Sequence, residues 1–397
     1  MMNITPIPRG AISLYAFVSV ILSNAVAADL NLKAQIIDDD IKIGYGLAIG
    51  DVNGDGKKDI LLADKQDFFW YENPSWERHL FWSVAEGDAR ESMRDNVCIA
   101  ARDIDGDGKV EVAVGTNWNP GETSDSEKSG GVWFVGSLGN IQPKKLPHDP
   151  TTHRMYWVKM EAGYSIVVAP LHGRGNKGGV GENGTRIQVY YAGNDPYTAS
   201  WERSVVNDEL HKTHNFDLFQ GSSNTGESLV IAGDEGLVLA RQVDGKWKSR
   251  KSESLSNGAG EIRLGKLSIN GAPQTVATIE PMHGNNVVCY ERNGENWKRT
   301  VLDDSLNQGH ALAVADVLGT GTLQVVAGWR NRDSRKRVGI RLYEPGSNEK
   351  WTTHVVDDDA MAAEDIKVSD LDGDGDLDLV ASGRSTKNVI IYWNQLK

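Results

Sequence analysis

One short acidic motif occurs three times in this chain. The copies are Asp51-Val52-Asn53-Gly54-Asp55-Gly56-Lys57-Lys58-Asp59, Asp103-Ile104-Asp105-Gly106-Asp107-Gly108-Lys109-Val110-Glu111 and Asp370-Leu371-Asp372-Gly373-Asp374-Gly375-Asp376-Leu377-Asp378. Oxygen-bearing side chains at alternate positions, with Gly at the tight turn, suit a hard cation such as Ca²⁺. An EF-hand would place helices on both sides and a Glu at the twelfth position. Here the flanks alternate apolar and small residues, as in Gly46-Leu-Ala-Ile-Gly50 and Ile60-Leu-Leu-Ala63, so each motif reads as the turn of a β-hairpin. The three turns are expected to be structural Ca²⁺ sites, with solvated Asp/Gly turns as the alternative. The related Asp316-Val-Leu-Gly-Thr-Gly321 has lost most of its ligands and is expected to bind nothing.

The motif also sets a period, and the period sets the fold. Aligning the chain on the first Asp of the motif, or its degenerate equivalent, gives reference positions Asp51, Asp103, Met160, Gln220, Leu267, Asp316 and Asp370, spaced 47 to 60 residues apart. Each unit has room for four strands, the period of a propeller blade. A unit reads as strand A, the acidic turn, strand B, a variable loop, strand C, a tight turn and strand D. Strand D opens on Trp at Trp76, Trp201, Trp247, Trp297 and Trp351, which are read as packing between blades. The C-terminal Val389-Ile-Ile-Tyr-Trp393 is a strand C with no D after it. The N-terminal Ala34-Gln-Ile-Ile-Asp-Asp-Asp40 resembles His354-Val-Val-Asp-Asp-Asp359, which follows the Trp of a strand D. The expectation is an all-β, seven-bladed β-propeller whose ring is closed by the N-terminal strand, pairing otherwise exposed edges.

Bulk composition is consistent with this. A net charge of −13 over 397 residues, with 43 Gly and 12 Trp, fits a soluble β protein and argues against a nucleic-acid partner. Arg9, the apolar run Ala11 to Leu22 and Ala25-Val26-Ala27 read as a secretory signal over 1–27, leaving 28–397 as the propeller. The apolar run is short for a bilayer span, so the protein is expected to be periplasmic or secreted, with no membrane partner after cleavage. Cys98 and Cys289 fall in separate predicted strands and are expected to be buried thiols without a bridge.

In a propeller, A–B and C–D turns share one face, while D–A connections and B–C loops surround the channel mouth on the other. Six or seven residues before the reference positions, where strand A enters from that mouth, stand Tyr45, Asn96, His153, His214, Glu261, His310 and Glu364. Three of only nine histidines occupy this one structural position. The B–C loops add His172 and Arg174, His283, Trp118 and Arg330. Neutral imidazoles with a carboxylate suit Zn²⁺ or a similar divalent metal, and an open coordination position would mark a catalytic site. His153, His214, His310 and Glu261 form the pool of metal ligands. His79 and His354 fall on outer D strands, His148 lies in a loop, and His211 flanks the funnel.

The acidic units resemble the FG-GAP/VCBS repeat proteins, propellers of many functions. A narrower resemblance lies in Thr152-His153-Arg154-Met155-Tyr156-Trp157 followed by Val168-Ala-Pro170-Leu171-His172-Gly173-Arg174-Gly175-Asn176. It is similar to the propeller domain of the aldos-2-ulose (1,5-anhydrofructose) dehydratases. That resemblance implies a zinc in the propeller cleft and removal of water from an oxidised sugar, a carbon–oxygen lyase reaction on a carbohydrate substrate. The cupin and lectin-like regions of the fungal relatives are not found here, so isomerisation assigned to them is not carried over. In such chemistry a metal on the carbonyl oxygen stabilises a developing enolate, a base takes the adjacent proton and an acid helps the hydroxyl leave. His172, His283, Arg174 and Glu364 are the catalytic candidates, and Tyr45, Trp118 and Arg330 the substrate contacts.

Two other classes compete. A polysaccharide lyase acting on uronic-acid polymers would need a groove, which the long loops 119–131 and 173–184 could build. A carbohydrate- or protein-binding propeller would need no convergent imidazoles. A nucleophilic hydrolase fits less well, since no Gly-x-Ser-x-Gly elbow occurs. The Gly-rich 173–184 lacks the Walker spacing and is read as a flexible lid.

Overall fold

The computed structural model describes residues 30–84, 94–161, 163–193, 195–221, 226–268, 271–347 and 350–396. The expected signal at 1–27 lies outside the described residues. The fold is all-β, with seven four-stranded antiparallel sheets. The first blade is β2 (Gly46–Gly50), β3 (Asp59–Ala63), β4 (Asp67–Glu72) and β5 (Glu77–Ser83). Five more blades, each of four consecutive strands, follow over 98–146, 152–207, 213–251, 261–303 and 309–358. The seventh is β26 (Ala363–Ser369), β27 (Asp378–Gly383) and β28 (Val389–Asn394), completed by the N-terminal β1 (Leu32–Asp38). Ala34 lies opposite Tyr392 and Ile36 opposite Ile390, so the outer strand of the last blade comes from the start of the chain, as the repeat order requires.

The innermost strands of the second to sixth blades are β6 (Cys98–Arg102), β10 (Thr152–Met160), β14 (Thr213–Gln220), β18 (Glu261–Leu264) and β22 (Gly309–Ala315). Alternate residues of the middle strands are buried between adjacent blades, in clusters such as Ile60, Leu62, Tyr71, Val380 and Ile391. The D-strand tryptophans cover those seams. Trp76 packs against Trp393, and Trp201 against Phe134 and Trp157. Cys98 and Cys289 are buried free thiols.

Loops sort onto two faces. The C–D turn of the first blade reaches two A–B turns, with Asn73 Nδ2 donating to the carbonyls of Lys58 (3.0 Å) and Leu371 (2.6 Å). On the opposite face, Asp64 of the first B–C loop accepts from the backbone N–H groups of Lys42 and Ile43 in the preceding D–A connection. Deep in the channel, Arg154, Tyr156, Asn215, Asp365 and Lys367 leave a cavity of about 20 Å³, room for roughly one water.

Candidate functional site

Four innermost strands break register at the ring position. The pairing of β10 shifts between Thr152 and Arg154, of β14 between Thr213 and Phe216, of β22 between Gly309 and Ala311, and of β26 between Ala363 and Asp365. Each shift inserts an unpaired residue, and a bulge of this kind re-aims the side chain it carries. The residues within the shifts are His153, His214 with Asn215, His310 and Glu364. A regular pleat would send each of these side chains to a face of its own blade. The bulges turn them toward one another instead.

The imidazoles converge. Ring centroids of His153 and His214 are 4.5 Å apart, those of His214 and His310 4.9 Å, and those of His214 and His283 4.5 Å. The Nε2 atoms of His214 and His283 approach to 2.7 Å. His214, His283 and His310 each offer a ring nitrogen within 4.8 Å of the others. His310 donates from Nδ1 to the Glu364 carbonyl at 2.6 Å, which fixes its tautomer and leaves an Nε2 lone pair. His214 is wholly buried, and its Nδ1 lies 2.9 Å from Glu261 Oε1, though neither atom is in an aligned hydrogen bond. Glu261 Oε2 accepts from Asn215 Nδ2 at 2.6 Å. A carboxylate behind a histidine is the usual support of a metal ligand. Both ring nitrogens of buried His153 lack partners, as do both amide atoms of Asn96 one blade away. Buried polar atoms left this way call for a ligand or water.

Burial holds His153, His214 and His310 well below the ordinary imidazole range, reinforced by Arg154 at the first two and Arg330 at the third. Burial, then His214, lowers His283 in the same way. The four rings are therefore neutral at neutral pH, the state in which imidazole donates a lone pair. The donor set and its preset tautomer fit a borderline divalent metal such as Zn²⁺.

Arginines flank the cluster. Arg330 Nη1 lies 3.0 Å from each oxygen of buried Glu364, and its Nη2 donates to Gln308. Arg384 donates to the same carboxylate at 3.2 Å and to the Tyr45 hydroxyl at 3.3 Å. Burial raises the Tyr45 phenol above its ordinary range, so it keeps its proton. Trp118 stacks on His153 with centroids 4.7 Å apart.

The structure redistributes the expected roles. His283, expected as an acid or base, stands with His214 and His310. Glu261, expected as a ligand, stands behind His214. Glu364, expected as catalytic, is held by two guanidiniums. The contacts of His172 lie elsewhere: its N–H donates to Thr151 Oγ1, it bridges Lys212, and burial lowers it to about 4. Arg174 faces outward, donating to the Ser124 carbonyl and standing 3.6 Å from Asp149. Residues 173–184, expected as a flexible lid, form a loop closed on itself, with buried Asn176 bonded to the Asn183 backbone at 2.7 and 3.3 Å. Arg384, Arg154 and Asn215 were not singled out from sequence. Arg384 carried the one available signal, since it sits in the B–C loop that corresponds to Arg330's.

On the far face the acidic turns share one construction. Asp51 accepts from the N–H groups of Gly54 and Gly56, and Asp103 and Asp370 accept equivalently. Both glycines of each turn have positive φ, as between +82° and +98° at Gly106, Gly108, Gly373 and Gly375. Asp103, Asp105 and Glu111 form one group of convergent oxygens, and Asp370, Asp372 and Asp374 another. In the first turn Asn53 replaces one carboxylate, and Asp55 pairs with Lys57 at 3.0 Å. The ninth residue of each motif was expected as a ligand. In the structure, both carboxylate oxygens of Asp59 accept backbone N–H groups, from Val52 and Asn73. Those of Asp378 accept from Leu371 and Asn394, so these two carboxylates anchor their turns to the strands. Glu111 anchors through Ile104, and burial pushes it up to about 7.

Fold and site together define a seven-bladed β-propeller with an imidazole cluster on its axis. Residues 51–114 match the family model of the FG-GAP-like repeat, so the chain is a β-propeller carrying an FG-GAP-like repeat. No curated protein matches the chain. Among solved structures it is similar to BBS1N in complex with ARL6DN, soaked with mercury, at 16% identity over 92% of this chain and 96% of that one, TM-score 0.57. It is also similar to the RRP9 WD40 repeats, at 13% identity over 92% and 100%, TM-score 0.55. A third is the extracellular domain of the putative hybrid two component system BT4673 from B. thetaiotaomicron, at 10% identity over 92% and 40%, TM-score 0.53. Likeness at these identities is one of fold alone.

Proposed function

We propose that the protein is a metal-dependent carbon–oxygen lyase that eliminates water, or an alkoxide, from an oxidised sugar such as 1,5-anhydrofructose. The observation that carries this reading is the convergence of His214, His283 and His310, with the far nitrogen of His310 already capped by the Glu364 carbonyl. Those three residues would hold the metal, which when bound would supply Lewis acidity to the substrate carbonyl.

The chain's own residues do the rest. His153 is neutral, buried and unpartnered at both nitrogens, so it can accept the proton from the carbon next to the carbonyl. The electron pair of that C–H bond becomes the new C=C bond as the neighbouring C–O bond breaks. Tyr45 keeps its proton through burial and can pass it to the leaving oxygen, with Arg384 3.3 Å away to steady the phenolate. Arg330 and Arg384 orient the sugar, and Trp118 offers it a flat face. We further propose that the turns at Asp103 and Asp370 hold structural Ca²⁺, and that the protein works after export, in the periplasm or outside the cell.

The test pairs elemental analysis of protein purified without added metal with an assay of 1,5-anhydrofructose for the ultraviolet absorbance of an enone. About one zinc per chain and enone formation, both lost in His214→Ala, are the expected results. Protein with neither zinc nor turnover would be a carbohydrate- or protein-binding propeller. A second reading, elimination from a uronic-acid polymer, draws on the two guanidiniums facing the single carboxylate of Glu364, which leave positive charge for a substrate carboxylate. Turnover of oligouronates rather than the small keto sugar would select it.

A further inference from the structure

A second cluster of chemistry lies away from the imidazoles, where the second and third blades meet. A cavity of about 500 Å³ opens there, walled by the start of the third blade's strand C, the D–A connection and two long loops. Lys145, Arg174, Arg186 and Arg203 face Glu127 and Asp149, four cations against two carboxylates. In a chain with net charge −13 this is a local reversal of sign. Part of the charge is committed. Asp149, its side chain only 10% exposed, takes Arg186 Nε at 2.9 Å and Gln188 Nε2 at 2.8 Å. Arg203 donates to the Pro147 carbonyl and Gln188 Oε1. The guanidiniums are thus held in place by neutral or shared acceptors, and about two positive charges remain uncompensated.

The rim is built rather than loose. Gly175 N–H donates to the Thr123 carbonyl at 2.9 Å, and Arg174 reaches the Ser124 carbonyl, so the two long loops are stitched together beside the cavity. The same segments lead back to the axial site. The loop that supplies Glu127 begins just after Trp118, which stacks on His153. Asp149 precedes His153 by four residues, at most about 14 Å of extended chain.

We propose that this cavity is a second, non-catalytic site that binds the anionic unit of an acidic saccharide, held through its carboxylate or sulfate by Arg186, Arg203 and Lys145. Planar guanidiniums match such oxyanions in a bidentate fork, and the exposed carboxylate of Glu127 offers an acceptor for sugar hydroxyls. A saccharide of a few units could then occupy both this cavity and the axial site. The binding step requires neither the metal nor the elimination reaction.

Calorimetric titration of the intact protein tests this, using trigalacturonate, a sulfated disaccharide and neutral maltotriose as probes, with and without EDTA. At least one anionic probe should bind, more weakly as salt rises, and maltotriose should not. Carboxylated and sulfated probes together show which oxyanion is preferred. Arg186→Gln combined with Arg203→Gln should weaken binding about tenfold or more, the scale of lost charged hydrogen bonds. Lys145→Glu, at a side chain 47% exposed whose ion pair is with exposed Glu127 at 3.6 Å, should weaken it in the same direction. Persistence of binding in EDTA separates this site from the metal reading, which is judged by zinc content and enone formation. Equal binding of maltotriose, no binding of either anionic probe, or unchanged affinity in both variants would overturn the proposal.

Discussion

A histidine's fitness as a ligand depends on what its other nitrogen does, and on this criterion the cluster members differ. His310 is set by a backbone carbonyl, which no side-chain substitution removes. His214 faces the carboxylate of Glu261, so Glu261→Gln should weaken zinc binding about 10–100-fold while leaving the fold intact. His310→Ala should abolish it. Competition against a chromophoric chelator measures both, and unchanged affinity in Glu261→Gln would remove that residue from the site. The positions of His153, His214 and His310 were legible because strand A recurs with the repeat. His283 was placed on the same funnel, but its standing among the candidate ligands was not legible, for it sits on a loop at φ +53°, where no period operates. Nor were the bulges, because an extra residue at the mouth of a strand leaves no mark when the strand ends there. Glu364 was found by position, but its role depends on Arg384, which arrives from a different loop.

At the level of strands and turns, two repeated devices do most of the fixing. One is the carboxylate that closes the acidic turn. In Asp59→Ala the N–H groups of Val52 and Asn73 would be left buried without partners, a cost of about 3 kcal/mol that urea unfolding should register. The other ties three pairs of neighbouring blades: a strand-C tyrosine donates to an aspartate near the end of the previous strand D, in Tyr71 to Asp38, Tyr343 to Asp303 and Tyr392 to Asp357. Tyr343→Phe should cost about 1 kcal/mol in the same assay, since Arg341 still holds Asp303. The likeness between residues 34–40 and 354–359 was visible in sequence because both end in the aspartate this tie requires. The acidic turns were visible too, though the split between anchoring and ligating oxygens needed coordinates. If Ca²⁺ occupies the turn at Asp370, adding it to chelated protein should raise Tm, and Asp372→Ala should shrink that rise. An identical rise in the variant would place the cation elsewhere.

For the whole molecule, the burden of burying neutral imidazoles makes stability depend on pH. His153, His214, His283 and His310 lie well below the ordinary 6.5, and His172 at about 4, with burial the first cause in each. Once unfolded, each regains its ordinary affinity for protons, so between pH 6.5 and 4 the unfolded chain binds more of them. Stability must then fall as pH falls through that window. Glu111, Asp376 and Asp378, pushed by burial to about 7, about 6 and about 6, act in the opposite sense, as do Asp59, Asp95 and Asp217, which burial also raises, because the folded state is the one that holds their protons. His148 is lowered by burial as well, so six imidazoles stand against six carboxyls, and the net slope should follow the histidines because those at the axis are displaced furthest. Urea midpoints of chelated protein should accordingly drop from pH 7 to pH 4.5, with a smaller drop in His172→Gln. Zinc should raise the midpoint at pH 7 and still raise it at pH 4.5, because the folded rings that would hold it stay neutral there. The His172 variant should keep the full zinc effect, because its ring stands outside the converging set, whereas His214→Ala should lose it. A midpoint that held steady or rose on acidification would mean that the imidazoles are not packed against one another at the axis.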